Sequence, residues 1–437
     1  MTPTPATPNL QPSALAVGPL AGIRVVDLTM AWAGPMVTRV LAQLGADVVK
    51  IEAAGKMDRW RGGTFVQRGT ERYPDHEPTD QPWNRNAYFN TQNVNKRSLV
   101  LDLKSPEGHE IVLDLVRQAD VVTENFAFGA MRRLGLAYDQ IAPLRTGLVM
   151  LSMPGFGSSG PERGYIAHGP TIEQLAGNAY LQGYTDGPPQ ASGRLAWGDP
   201  VAGMTGAALL IMALWRRHAT GFGCHIDLAQ LEAGVLFNFD SVLGAVNGGQ
   251  VPPRRGTGHA TLAPHGTYRC AGDDRYLALA CRGAADWRAI REVVAADALQ
   301  AADLESDDAR HAAAELIDKE ISEWARPRDA FEAARELQRR GVPASVVLNA
   351  ADLLADEQLA DRGYFLDVSH PQAGRHQYAG LPWQYASDPA WWREVRPAPC
   401  FGEHNGQVLA ELGLPPARIA QLAADGVIAD HPARQGD

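Results

Sequence analysis

A β-α-β pattern close to the start of the chain commits its first half to a parallel sheet. Residues 22–29 (Gly-Ile-Arg-Val-Val-Asp-Leu-Thr) form a β-branched run that reads as a buried strand. A short loop over 30–35 leads into apolar residues at helical spacing over 36–44. Gly45 ends that helix, and 46–52 reads as a second strand. Two strands joined through a helix pair in parallel with a right-handed crossover. Residues 98–103, 120–124, 147–153 and, briefly, 226–229 supply further strands, alternating with helices. Ser105 and Pro106 open one of these helices as N-cap and first helical residue. The expected fold is therefore α/β, a mostly parallel sheet with helices on both faces. The first turn lacks the G-x-G-x-x-G dinucleotide fingerprint. Its Ala33-Gly34-Pro35 puts small residues at a strand's carboxyl end, where open α/β sheets bind ligands.

Beyond the first unit, 56–83 is polar and rich in Gly and Pro, and reads as an extended surface loop. Helices are expected at 171–183, 199–217 and 231–243, with Asp199 capping the second. Residues 247–258 (Asn-Gly-Gly-Gln-Val-Pro-Pro-Arg-Arg-Gly-Thr-Gly) read as a linker. Two strands follow at 266–270 and 275–281, then helices, making a small α+β unit. A strand at 344–348 is expected to return to the main body, and a last helix falls at 407–412. The domain reading is a flexible tail over 1–17, a large domain from 18–246 and 344–437, and a small one over 247–343.

At 437 residues, with 45% hydrophobic and 21% charged side chains, the chain is an ordinary globular one. Its net charge of −10 argues against nucleic acid or an acidic membrane as partner. The longest apolar run, 206–215, is short of a membrane span. The start is Thr/Pro/Ala-rich and unlike a signal peptide, and the four cysteines form no CxxC, so the expected compartment is the reducing cytoplasm. The 12 histidines show no ligand spacing, so no metal is expected. No G-x-S-x-G elbow is present, and the glycine-rich 155–161 lacks the Lys-Ser/Thr of a phosphate-binding loop.

One stretch, 183–199, gathers Asp186 with Gly187, Pro188 and Pro189. Taken alone, Asp-Gly-Pro-Pro is a turn in which Asp caps its own backbone. The ordered set around it carries more. Leu20-Ala21-Gly22-Ile23-Arg24-Val25-Val26-Asp27-Leu28-Thr29, Ala33-Gly34-Pro35 and Leu44-Gly45-Ala46-Asp47-Val48-Val49-Lys50-Ile51-Glu52 come first. Asn95-Lys96-Arg97-Ser98, Leu101 to Gly108, Glu124-Asn125-Phe126 and Arg133-Leu134-Gly135 follow. Then come Gly155-Phe156-Gly157, the Asp186 turn, Asp199, Thr220-Gly221, Asp227, Glu232 and Gly402-Glu403-His404. In this order, over nearly the whole chain beyond residue 17, the sequence resembles the family III CoA-transferases. That group takes in formyl-CoA transferase, carnitine CoA-transferase and the related α-methylacyl-CoA racemases.

The resemblance implies a Rossmann-like large domain, a smaller domain and two protomers threaded into an interlocked homodimer. Acyl-CoA and a free carboxylic acid would be the partners, with no permanently bound cofactor. Asp186 would be the nucleophile, and a carboxylate, ordinarily ionised at neutral pH, needs no base to serve. Ala33, Leu101, Lys104, Asn125, Phe126 and Arg133 match CoA-contacting positions, and Trp32, Phe156 and Gly157 the substrate pocket. His168 and Asp199 align with the racemase branch's proton-transferring pair, so racemisation is the alternative, and a catalytically silent CoA-binding subunit a third. Departures from the oxalate-acting members are plain. Trp32 replaces their Gln, Ala53 an Arg and Pro154 a Lys, while residues 260–266 replace their glycine-rich loop. An indole offers one hydrogen-bond donor where oxalate needs several. In a screen of acceptor acids with succinyl-CoA and acetyl-CoA, oxalate should therefore rank below larger, partly apolar acids; oxalate in first place would refute this reading of Trp32.

Overall fold

The computed structural model describes residues 18–64, 70–191, 196–249, 251–300, 302–387 and 394–433. The expected tail over 1–17 lies outside these residues, as do 192–195 of the Asp186 stretch. Six parallel strands form one sheet: β1 (Arg24–Asp27), β2 (Asp47–Glu52), β3 (Arg97–Val100), β4 (Val121–Glu124), β5 (Val149–Ser152) and β6 (Cys224–Asp227). Their order is β3-β2-β1-β4-β5-β6, with Val26 of β1 opposite Val49 on one side and Val122 on the other. This is the doubly wound order, and its direction reverses between β1 and β4, the place where such sheets open a crevice at their carboxyl ends.

The helix Ala33–Gln43 forms because Ala33, Val37, Val40, Leu41 and Leu44 fall on one stripe, and it stops at Gly45, whose φ is 98°. That stripe packs on Val121, Val149 and Leu151 of the sheet and on the long helix Gly198–Thr220 through Ala202, Ala207 and Leu210. The opposite face is covered by the helix Pro106–Gln118 and by Val408, Leu409, Leu422, Val427 and Ile428 from the chain's end. Each of these large aliphatic side chains contributes about 1.5–3 kcal/mol by leaving water. Ser105 caps the Pro106–Gln118 helix as expected, accepting from the Gly108 N–H.

The chain divides into two compact units, Met1–Ala176, Gly193–Phe239 and Arg362–Asp437 in one, Gly177–Ser192 and Asp240–Asp361 in the other. The second unit is thus wider than the 247–343 read from sequence. One reason is β9 (Ala344–Val346), expected to return to the main body. Instead it pairs with β8 (Tyr276–Ala280), itself antiparallel to β7 (His265–Arg269), because the Leu277 and Leu279 strand needs a partner on its second edge. The expected 171–183 helix is two short ones, Gly169–Leu175 and Asn178–Leu181, broken where Gly177 takes a φ of 83°. A hairpin of β10 (Phe365–His370) and β11 (Gly374–Ala379) in the first unit had no counterpart in the sequence reading.

Residues 56–83 also differ from the surface loop expected. Asp58 and Arg61 are fully buried, and they close a chain of ion pairs: Lys50–Asp58 at 3.0 Å, Arg61–Glu52 at 2.8 Å and Lys96–Asp27 at 3.1 Å. Burial opposes every one of these charges. For Asp27 the cations Lys96 and Lys50 outweigh it, and for Glu52 Arg61 does, so both carboxyls sit below their ordinary values. For Lys96 burial wins, and its ammonium is lowered to about 8. Removing one partner strands the other, so Arg61→Met should cost about 3–5 kcal/mol of stability in urea unfolding. Because the unfolded chain protonates its Asp and Glu before folded Asp27 and Glu52 do, stability should fall as pH drops through the ordinary carboxylate range. A flat stability profile below pH 5, or a loss under about 1 kcal/mol in Arg61→Met, would contradict the account.

Candidate active site

The buried charges fix the turn at the carboxyl end of β1. Lys50 Nζ donates to the Thr29 carbonyl at 2.6 Å, and Asp58 Oδ1 accepts the Ala31 N–H at 3.0 Å. Asn125, just past β4, accepts the Met30 N–H and donates to the Met30 carbonyl, both at 2.8 Å. Ala31 is thereby held at a φ of 64°, a region an alanine rarely adopts. A side chain on Gly34 would collide with Thr29 and Asn125, so only glycine fits there. The Asn125 amide, expected at a CoA-contacting position, is therefore spent on shaping the turn.

Asp199 lies in the first turn of Gly198–Thr220 but does not cap it, as the sequence suggested; Trp197 holds the cap position. Its carboxylate instead accepts the Ala33 N–H, across from its own helix. Burial, only partly offset by that bond, raises Asp199 to about 6. Its Oδ2 also lies where a Cβ on Gly169 would sit, which brings it against the backbone next to His168. The His168 ring is exposed at the start of the Gly169–Leu175 helix. The structure thus sets the Asp199 carboxylate against the Gly169 backbone, one residue along the chain from His168. Trp32, beside buried Ala33, lies tilted at 42° against Trp60 with ring centroids 5.4 Å apart, and Trp60 likewise against Tyr88 at 5.2 Å. No periodicity in the glycine-rich 56–83 stretch announced Trp60, and only the folded chain pairs it with Trp32.

At the other strand ends, Asp227 of β6 accepts the Ser158 N–H at 2.9 Å and its hydroxyl at 3.0 Å, anchoring the Phe156-Gly157 loop. Glu124 accepts the Phe126 N–H at 2.8 Å, and burial pushes its carboxyl up. Ser152 hydrogen-bonds His225 at 2.9 Å. Lys104 and Arg133 are exposed, and neither ammonium nor guanidinium pairs with a carboxylate among the described residues. Leu101 is fully buried in the core, its N–H donates to the Glu52 carbonyl at 2.8 Å and it is bridged to Ile428, so this expected CoA-contacting position presents no surface to a ligand. Phe126 packs partly on the same core.

Asp186 belongs to the second unit, on an exposed turn closed by the Gly187 N–H to the Tyr184 carbonyl at 3.1 Å. The turn is fastened to the 254–258 segment. Gly256 N–H donates to the Gly183 carbonyl at 3.0 Å, and Arg254 reaches the Tyr180 carbonyl at 3.2 Å while lying over its ring. Among the described residues no group of three or more His, Cys, Asp or Glu is placed to hold a metal.

A doubly wound sheet with a clamped β1 turn and unpaired cations at its carboxyl end has the features of a class that handles an anionic ligand. The model of CoA-transferase family III matches residues 20–405, and the chain belongs to that family. A formyl-CoA:oxalate CoA-transferase of Streptomyces coelicolor is 30% identical over 431 residues, 94% of this chain and 99% of its own. A succinate–glutarate CoA-transferase of Agrobacterium fabrum is 31% identical, covering 93% and 97%. The crystal structure of a CaiB/BaiF family protein from Brucella suis superposes with a TM-score of 0.78 at 28% identity, over 90% of this chain and 99% of that one.

The environment of Asp199 has a direct consequence. Its carboxyl is raised in the folded chain, so folding binds a proton between the ordinary Asp value and about 6, and the charged form weakens the fold above that range. Asp199→Asn keeps the acceptor for Ala33 and removes the charge. It should raise stability at pH 7 by on the order of 1–3 kcal/mol, with little effect at pH 4. Equal effects at both pH values would show that Asp199 is not the group titrating.

Proposed function

We propose that this protein moves coenzyme A from an acyl-CoA to a free carboxylic acid, with Asp186 as the nucleophile. The observation that carries the reading is the Asp186 turn, solvent-open yet braced by the Gly187–Tyr184 and Gly256–Gly183 bonds within a chain of this family. An Asp186 oxygen attacks the thioester carbonyl, the C–S bond breaks, and an aspartyl–acyl anhydride and CoA thiolate result. The thiolate attacks the Asp186 carboxyl carbon, expelling the first acid as carboxylate and leaving an aspartyl-CoA thioester. The acceptor carboxylate attacks that thioester, again freeing thiolate and forming a second anhydride. The thiolate then attacks the acceptor's acyl carbon, and Asp186 is regenerated. No net proton moves, and no resident cofactor or metal is required. Nearby backbone N–H groups stabilise each oxyanion, and water is kept away from the anhydrides.

Lys104 and Arg133 are assigned to the CoA phosphates, since both charges lack protein partners among the described residues. The names of the relatives range over oxalate and glutarate, which leaves the acceptor to this chain's own pocket residues, Trp32 first among them. A homodimer is part of the proposal. The helix Gly198–Thr220 leaves Ile211, Met212 and Trp215 exposed along one stretch, and Phe222 follows just past its end, more apolar surface than a lone helix face normally shows water. The four free thiols suit the reducing cytoplasm. A second reading, racemisation α to a thioester, is favoured by one observation: Asp199, raised to about 6, lies against the His168–Gly169 backbone. It predicts α-proton exchange with solvent in the absence of any acceptor acid.

Incubation with acyl-CoA followed by hydroxylamine should convert Asp186, and no other carboxylate, to its hydroxamate. Asp186→Ala should abolish transfer while leaving CoA binding in place. Turnover that survives in Asp186→Ala would end the nucleophile assignment.

A further inference from the structure

Tyr184 and Thr185, the two residues before Asp186, form part of the wall of a polar cleft of about 290 Å³ in the second unit. Its other walls are the 255–258 segment, the start of β7 from His265 to Tyr268, and Asp318 and Ser322 of the helix Ala314–Ala325. The bond from Gly256 to the Gly183 carbonyl ties this wall to the Asp186 turn.

The adjacent arginines on this segment are used differently. Arg254 is engaged with the Tyr180 carbonyl and ring, which braces the turn. Arg255 lines the cleft, and its guanidinium has no hydrogen-bond or ion-pair partner among the described residues. It is the one permanent cation on the lining. The one carboxylate there, Asp318, already accepts the Tyr268 hydroxyl at 2.7 Å, and burial pushes it above the ordinary carboxylate range. His265 is oriented by its Nδ1, which donates to the Thr257 carbonyl at 2.7 Å, since a carbonyl can only accept. The Thr257 and Thr267 hydroxyls on the lining make no bond to protein among the described residues. An unpaired guanidinium sharing a cleft with two threonines is a set of groups that can take a carboxylate through paired hydrogen bonds.

We infer that this cleft is the acceptor subsite and holds the distal carboxylate of a dicarboxylic acid on Arg255, with Thr257 and Thr267 supplying the remaining donors. The inference rests on Asp186 being the nucleophile, because the acid's other carboxylate is the one presented to the aspartyl-CoA thioester beside Tyr184 and Thr185. A monocarboxylic acid of the same length places a methyl group against Arg255 and leaves the guanidinium unmatched. Discrimination between two acids of equal length then falls to this residue.

Glutarate and pentanoate, five carbons each, make the test. Calorimetric titration into the full-length protein should show glutarate binding at least about tenfold more tightly than pentanoate. Arg255→Gln should erase that difference while leaving pentanoate binding as it was. In transfer assays the same variant should raise the KM for glutarate about tenfold with kcat little changed, the mark of lost ground-state binding. Equal binding of the two acids by the unaltered protein overturns the proposal, as does equal weakening of both in Arg255→Gln. Hydroxamate formation at Asp186, measured on the same samples without acceptor, separates the two claims. If it fails while glutarate binding still depends on Arg255, the dicarboxylate site stands and the chemistry assigned to Asp186 falls.

Discussion

Everything at the carboxyl end of the sheet depends on charges that never meet water. Lys50, Asp58, Glu52, Arg61, Asp27 and Lys96 are all buried, three cations against three carboxylates. Such pairs seldom stabilise more than apolar packing would, because desolvation consumes most of the attraction. What they give here is definition of place. A buried ammonium tolerates few positions, and Lys50 uses a second donor on the Thr29 carbonyl while Asp58 takes the Ala31 N–H. With Asn125 on both polar groups of Met30, the turn before Ala33 is held from three sides. Its unusual Ala31 conformation is affordable only under that restraint.

Two aspartates mark opposite uses of the same side chain. Asp186 stands open to solvent on its turn. Asp199 is drawn under the Ala33 N–H and away from solvent, which makes it a holder of protons near neutrality. Environment, and not residue type, separates the open carboxylate from the proton-holding one. The same logic separates Arg254 from Arg255, one spent on bracing and the other left open.

The sequence carried the parts of this molecule that are local. β-branched runs at Val25-Val26 and Val48-Val49 announced a parallel sheet, and Ser105-Pro106 announced a helix start, because burial of a strand and capping of a helix are decided within a few residues. The Asp186 turn was legible for the same reason, through its Gly and Pro neighbours. Partnerships across the chain were not. Asp58 and Arg61 sit in a polar, glycine-rich segment that reads as surface, and nothing near them reveals Glu52 and Lys50 as partners. β9 looked like a returning strand because a strand's edge says nothing of which sheet will take it. The Arg255 cleft likewise assembles from 184–185, 255–258, 265–268 and one helix, four stretches with no shared motif.

The sheet's first unit is stitched from three lengths of chain, and the last of them matters most for how the molecule comes into being. Val408, Leu409, Leu422, Val427 and Ile428 cover one face of a sheet whose strands are all complete by Asp227. The Asp102 N–H waits for the Val427 carbonyl, and Leu101 for Ile428. During synthesis, then, roughly two hundred residues emerge between the apolar face and its cover, which is on the order of ten to forty seconds at ordinary elongation rates. Over that interval the nascent chain carries a finished sheet with one face sheltered only in part by the Pro106–Gln118 helix, and strands made early wait for helices made some two hundred residues later.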